Sequence, residues 1–213
     1  MDESTEVNSN RFYEMCHFLE GVFTREEEKN CIGLVLFKPD SVTTGLDLPL
    51  GEYIQQELER STGKPVGLFA FTQLCLDSET VGRLYQKLAI GMYFHDIVEH
   101  LTSGPVSLVL VASKDAPQEL NRLKGSVRRG TGIRGKFSVS PYVGVDLADP
   151  AVGLDTGRAR DINTHLYVAN LLHVPDNCED TKRVIELLLP KNDLNDLVSV
   201  VPLFSRWFNQ EEN

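Results

Sequence analysis

Apolar and polar positions alternate along this chain in two rhythms. Residues 32–37 (IGLVLF) form a short unbroken apolar run, the pattern of a strand buried on both faces. Residues 66–76 (VGLFAFTQLCL) alternate in part, and 105–112 (PVSLVLVA) repeat the buried-strand pattern. Residues 165–172 are β-prone as well. Between these runs the spacing is helical. It predicts helices over 52–60, 78–89, roughly 91–101, 116–124 and 178–189. Asp77, Ser78 and Glu79 signal one helix start, Asp176 another, and Pro190 a stop. Phe12, Met15, Phe18, Leu19 and Val22 share one face of an amphipathic helix over 11–29. Gly45, Pro49 and Gly51 mark a loop after the first strand. The stretch from Gly125 to Gly135 and residues 138–160 read as loops. Leu197, Val198, Val200, Val201, Leu203, Phe204, Trp207 and Phe208 make the 191–213 tail too apolar to lie free in water.

The element order β–α–β–α–α–β–α–loop–β–α suggests an α+β sandwich of the ferredoxin-like βαββαβ kind. An antiparallel sheet would carry helices on one face, with N- and C-terminal extensions. The organisation expected is an extension over 1–30, a main domain over 31–190 with an insertion at about 139–165, and a packing tail over 191–213.

Charge narrows the partners. The net charge of −10 and pI near 5.0 argue against nucleic acid and anionic membranes, where two polyanions would meet. No apolar run is long enough for a membrane span. The start MDESTEVNSN is polar and acidic, unlike a secretory signal. Cys16, Cys31, Cys75 and Cys178 are scattered with no CxxC spacing, as in a reduced, cytoplasmic chain.

Three groups of residues carry candidate chemistry. Lys38-Pro39-Asp40 follows a buried strand, where a lysine can face a phosphate as a point charge. Arg122, Lys124, Arg128, Arg129, Arg134 and Lys136 crowd a glycine-rich stretch of an acidic chain. Arginine's planar fork suits phosphate, and glycines admit an oxyanion close to the backbone. His173 sits at a strand-to-helix junction, where a side chain can be both exposed and rigidly aimed, and imidazole can accept phosphate covalently near neutral pH.

The segments LVLFKPDSV, LYQKL with YF, LTSGPV, TGIRGKF and NLLHVPDN occur in one order. In that order they resemble the nucleoside diphosphate kinase family over about residues 32–190. The family reads K-P-D, then a Y…FF helix, S-G-P-V, G-T-I-R-G-x-F and N-x-x-H-G-S-D. The resemblance implies a ferredoxin-like core, nucleoside di- and triphosphates as substrates with Mg²⁺ carried on their phosphates, and a homo-oligomer. It also implies ping-pong transfer of a γ-phosphate through His173. By position, Lys38 matches the lysine on the transferred phosphate and Tyr85 the tyrosine beside it. Tyr93 matches the ring stacking on the base, and Ile97 the neighbouring apolar contact. Arg134 matches the phosphate-binding arginine and Asn170 the ribose contact. Arg128 is a further candidate for the phosphates.

The departures are specific. Pro175 replaces a serine. Val184, eleven residues after His173, stands where a glutamate orients the imidazole. Glu179 or Glu186 could substitute only if the helix shifts. Asn121, four residues before Gly125, replaces a second phosphate-binding arginine, and Val127 a threonine. The 125–134 loop is shorter than in the family and the stretch after Arg134 longer. Arg158 and Arg160 in that insertion are candidates for the missing contacts. Two functions stay open: a working kinase, and a nucleotide-binding regulatory or assembly module with weak or altered catalysis.

Overall fold

The computed structural model describes residues 21–86, 93–138 and 168–209, with backbone alone at 70–72 and 200. The start of the 11–29 helix, the end of the 78–89 helix, the start of the 91–101 helix, and the 139–165 insertion with Arg158 and Arg160 lie outside these residues.

Four strands make one antiparallel sheet: β1 (Ile32–Phe37), β2 (Gly67–Leu74), β3 (Val106–Ala112) and β4 (Leu172–His173). Their order is β2-β3-β1-β4. The hydrophobic runs set this order, because β1 and β3 are buried at every position and so take the centre. Ile32 pairs with Ala112 and Phe37 with Ser107 at the two ends of the β1–β3 ladder.

Helices cover both faces of the sheet, not one. Alternate β1 residues serve two cores. Ile32, Leu34 and Leu36 pack with α3 (Ser78–Leu84), α4 (Phe94–Thr102) and α7 (Cys178–Leu188). Val35 and Phe37 pack with α2 (Asp47–Thr62) and α5 (Ala116–Lys124). On that second face Gly33 lets α5 sit directly on β1. A methyl group there would stand 2.6 Å from Leu120 Cδ1.

The helix starts follow the capping residues. Asp77 accepts from Thr80 N at 2.7 Å at the head of α3. Asn177, rather than Asp176, caps α7 by accepting from Asp180 N at 2.8 Å. The helix expected at 52–60 begins earlier, at Asp47. Pro49 falls in its first turn, where no amide hydrogen bond is lost. The preceding turn is itself a short helix, α1 (Pro39–Val42).

The described end of the 11–29 stretch is a 3-10 turn, Glu27–Asn30. Thr24 and Glu27 start it afresh by exchanging backbone-to-side-chain hydrogen bonds of 2.9 and 3.3 Å. The C-terminal residues form α8 (Lys191–Val200) and α9 (Pro202–Phe208). Trp207 is fully buried among Phe204, Phe208 and the first core. Its removal would cost about 3–5 kcal/mol by analogy with large-to-small core changes.

Two expectations near the site are corrected. The Gly125–Gly135 stretch is not all loop: Gly132 opens α6 (Gly132–Phe137). Gly125 and Gly132 both have positive φ, and their backbones meet where a side chain on either would collide with the other segment. Among the described residues, the β-prone run reaching residue 172 pairs with β1 from Leu172. Of its earlier residues, Leu171 has φ 72 and so leaves the extended region.

Candidate active site

Lys38 emerges from the end of β1 and is 3% exposed. Its Nζ donates to Val168 O and to Asn170 Oδ1, both at 2.7 Å. Burial pulls its pKa down to about 7. Arg134 and Lys124 push the same way, and Asp40 pushes back.

The turn after Lys38 clamps the chain just before His173. Leu171 O accepts from Lys38 N and Ser41 Oγ, each at 2.8 Å. Leu171 N donates to Asp40 Oδ2 at 2.8 Å, and Asp40 Oδ1 lies 3.1 Å from His100 Nε2. Burial opposes ionisation of Asp40, but these hydrogen bonds outweigh it and hold the carboxyl below its ordinary value. Leu172 N bonds back to Asn170 O at 2.9 Å, closing a tight turn around Leu171. An apolar residue with positive φ costs about 1–3 kcal/mol unless its surroundings impose it. Here the K-P-D-S turn does so. β4 then pairs His173 with Leu36 and Leu172 with Phe37, fixing His173 beside Lys38.

Two other elements close the group. Tyr85 caps the C-terminus of α3, and its ring meets His173 edge-on, with centroids 5.1 Å apart. Arg134, on α6, donates from Nη2 to Leu172 O at 2.6 Å; its Nε is buried without a partner. Burial lowers the Arg134 pKa to about 10. His173 Nε2 is likewise buried with no hydrogen bond. Burial holds the His173 pKa well below the ordinary 6.5, aided by the charges of Lys38, Arg134, Lys124 and Arg183. The imidazole is therefore neutral at pH 7, with a free lone pair.

The expected residues thus divide. Lys38, Tyr85, Arg134, Asn170 and His173 come together. Asn170 is 3% exposed and turned toward Lys38, so it presents little surface to a ribose. Tyr93 is half-buried at the head of α4, and Ile97 one turn on is buried in the first core. Arg128 is exposed in the turn between α5 and α6. Glu179 and Glu186 are exposed on α7 and leave His173 Nε2 without an acceptor, while Val184 is fully buried. Val127 is buried, and its carbonyl accepts from Gly130 N at 3.0 Å.

Sequence reasoning did not single out Ser41, His100 or Arg183. Ser41 and Asp40 lie beside the K-P motif and were within reach of it. Arg183 donates to Arg83 O at 2.9 Å and Leu84 O at 3.3 Å, bracing the turn that bears Tyr85. A contact between two helices distant in sequence leaves no local pattern.

The profile of the family described as "Nucleoside diphosphate kinase" matches residues 32–194. The chain belongs to the nucleoside diphosphate kinase family. It is a kinase-like phosphotransferase by that membership, and a divergent one. The nucleoside diphosphate kinase of Ignicoccus hospitalis is 35% identical over 111 residues, which cover 50% of this chain and 70% of that protein. That of Saccharolobus solfataricus is 24% identical over 165 residues, 75% of this chain and 95% of the relative.

Among solved structures, the Aquifex aeolicus nucleoside diphosphate kinase matches with a TM-score of 0.53 at 20% identity. The match covers 76% of this chain and 96% of that one. A transition-state mimic of the Borrelia burgdorferi enzyme with bound vanadate and ADP matches at 0.51 and 16% identity. It covers 76% and 88% of the two chains. At these identities the structural matches establish the fold.

Proposed function

We propose that this chain moves the γ-phosphate of a nucleoside triphosphate to a nucleoside diphosphate through a phosphate carried on His173. The observation that carries the reading is a neutral imidazole set among Lys38, Arg134 and Lys124, with few carboxylates to balance them. Asp40, which attracts Lys38 and Arg134, is already engaged by His100 and Leu171 N. A cluster of this kind is completed by an anion.

With Nε2 buried, Nδ1 is the nitrogen that can reach a phosphate. Its lone pair forms the N–P bond as the bond from the γ-phosphorus to the β–γ bridging oxygen breaks. The electron pair leaves with the nucleoside diphosphate. A terminal oxygen of a second diphosphate then attacks the phosphorus and frees the imidazole. Lys38 and Arg134 offset charge on the equatorial oxygens, and positioning supplies much of the rest. Mg²⁺ enters as part of the substrate, on its phosphates. Among the described residues no three His, Cys, Asp or Glu side chains converge as a metal site.

The resemblance also supports a homo-oligomer and a cytoplasmic setting. No helix among the described residues is long and apolar enough to cross a membrane.

A second reading, a nucleotide-binding module with altered catalysis, is favoured by the unpartnered His173 Nε2. Intact mass after incubation with Mg²⁺ and ATP or GTP tests both. One acid-labile phosphoryl group on the wild type, absent from His173→Ala, is the expected result. Unmodified protein whose melting temperature still rises with nucleotide would favour the second reading.

A further inference from the structure

Asn121 stands on α5 where the resemblance expects a phosphate-binding arginine. One helical turn on, at a spacing that shares a helix face, is Lys124. Its Nζ donates to Asn121 Oδ1 at 2.5 Å. Asn121 Nδ2 donates in turn to Pro117 O at 3.0 Å, Pro175 O at 2.8 Å and Asp176 O at 3.3 Å. The last two carbonyls belong to the second and third residues after His173. One amide therefore ties the Lys124 ammonium to the backbone that leaves the candidate nucleophile.

A lysine in a last helical turn ordinarily reaches into solvent, where its charge favours the free carbonyls of the helix end. Lys124 instead is half-buried and turned back over Asn121. The charges acting on it are Arg134, which repels, and Asp176, which attracts. Its own charge is felt at both Lys38 and His173. Among the described residues it forms no salt bridge. Three cations thus converge from three elements: Lys38 after β1, Arg134 on α6 and Lys124 on α5. Such mutual repulsion is relieved by a ligand of high negative charge.

We infer that Lys124, aimed by Asn121, is a phosphate-contacting residue of this site and supplies the charge that an arginine at position 121 would have brought. The inference rests on the site's being a phosphate-transfer centre. Asn121 acts through Lys124 and is a positioning residue. The chemistry recognised is the diphosphate of a nucleotide.

The test is calorimetric binding of MgADP to the full chain. The variants are Lys124→Met, Lys124→Arg, Asn121→Ala, the Lys124→Met/Asn121→Ala double and, for reference, Arg134→Met, each checked for an intact thermal transition. Loss of one charge-assisted contact corresponds to about tenfold in affinity. Lys124→Met is expected to weaken MgADP by about that factor, and Lys124→Arg to keep most of the affinity. Asn121→Ala is expected to weaken binding alone but to add nothing in the Lys124→Met background, which a merely structural asparagine would not do.

Wild-type affinity in Lys124→Met, alongside a loss in Arg134→Met, would overturn the inference and leave the site reading standing. So would equal losses in Lys124→Met and Lys124→Arg. Should Lys124→Met not fold, unchanged affinity in Asn121→Ala overturns it instead. A wild type that binds no MgADP would remove both readings together.

Discussion

The Lys38 ammonium and the Asn170 side-chain oxygen meet at 2.7 Å inside the protein, 132 residues apart in sequence. The contact links the two motifs that lie farthest apart, and it holds the Lys38 amine in place before any ligand arrives. A neutral acceptor suits this task, because it orients the ammonium without cancelling its charge. Asn170→Asp would place a carboxylate there and pair the charge internally. Titration with MgADP should show affinity reduced by about tenfold or more, since the phosphate must then compete with a buried ion pair. Undiminished affinity would mean that Lys38 does not face the nucleotide phosphates.

Burial of Lys38 also couples the site to pH. Its pKa falls from 10.5 to about 7 on folding. Between those values the unfolded chain binds a proton that the folded chain does not, so stability rises with pH across that window. Below about pH 7 both states are protonated and the burial penalty is fully present; above 10.5 it is gone. Each pH unit is worth up to about 1.4 kcal/mol. Denaturation of wild type and Lys38→Met between pH 7 and 9.5 should show their difference shrinking in the wild type's favour as pH rises. An anion on Lys38 restores its proton, so MgADP binding at pH 8 should take one up. Calorimetry in two buffers of different ionisation enthalpy reads this directly, and equal heats in both would refute it.

Much of this arrangement was legible in the chain. Buried runs at 32–37 and 105–112 gave the central strands, and K-P-D, I-R-G and N-x-x-H marked the ends of the elements that meet. What escaped was set by contacts between distant segments. In sequence α6 looks like a loop, because Gly130, Gly132 and Gly135 are poor helix formers. Their value lies in close approach: a methyl on Gly135 would collide with the Gly130 backbone. β4 shrank to two residues because the Asp40 and Ser41 side chains bend Leu171 out of the extended region. Neither effect has a local periodicity. Nor does one-face helix cover follow from alternation in β1, whose residues are apolar on both sides.

The N-terminal 3-10 turn is fastened to the last helix by one ion pair. Arg206 donates to both oxygens of Glu28, at 3.0 and 2.7 Å. Glu28 is 8% exposed, whereas the Arg206 side chain is about half-exposed at 47%. Removing the arginine alone leaves a buried carboxylate short of donors. Arg206→Met should therefore lower stability by about 2 kcal/mol in chemical denaturation. The Glu28→Gln/Arg206→Met double should recover part of that loss, because no charge is then stranded. Single and double variants of equal stability would show that the pair contributes shape and not charge.

His173 Nε2 poses the sharpest question about rate. The nitrogen is buried and accepts or donates no hydrogen bond, while Val184 fills the position where the resemblance places an orienting glutamate. An imidazole held, among the described residues, by its edge contact with Tyr85 and by β4 pairing should swing more freely than one anchored at both nitrogens. Val184→Gln offers an uncharged acceptor at that place. It buries a polar group in a filled core and should cost about 1–3 kcal/mol of stability. Quenched-flow measurement of phosphohistidine formation should nonetheless show a faster first turnover than the wild type, with little change in MgADP affinity. A first turnover that slows in step with the lost stability would show that the ring is already well aimed, and that the missing carboxylate is no handicap to this chain.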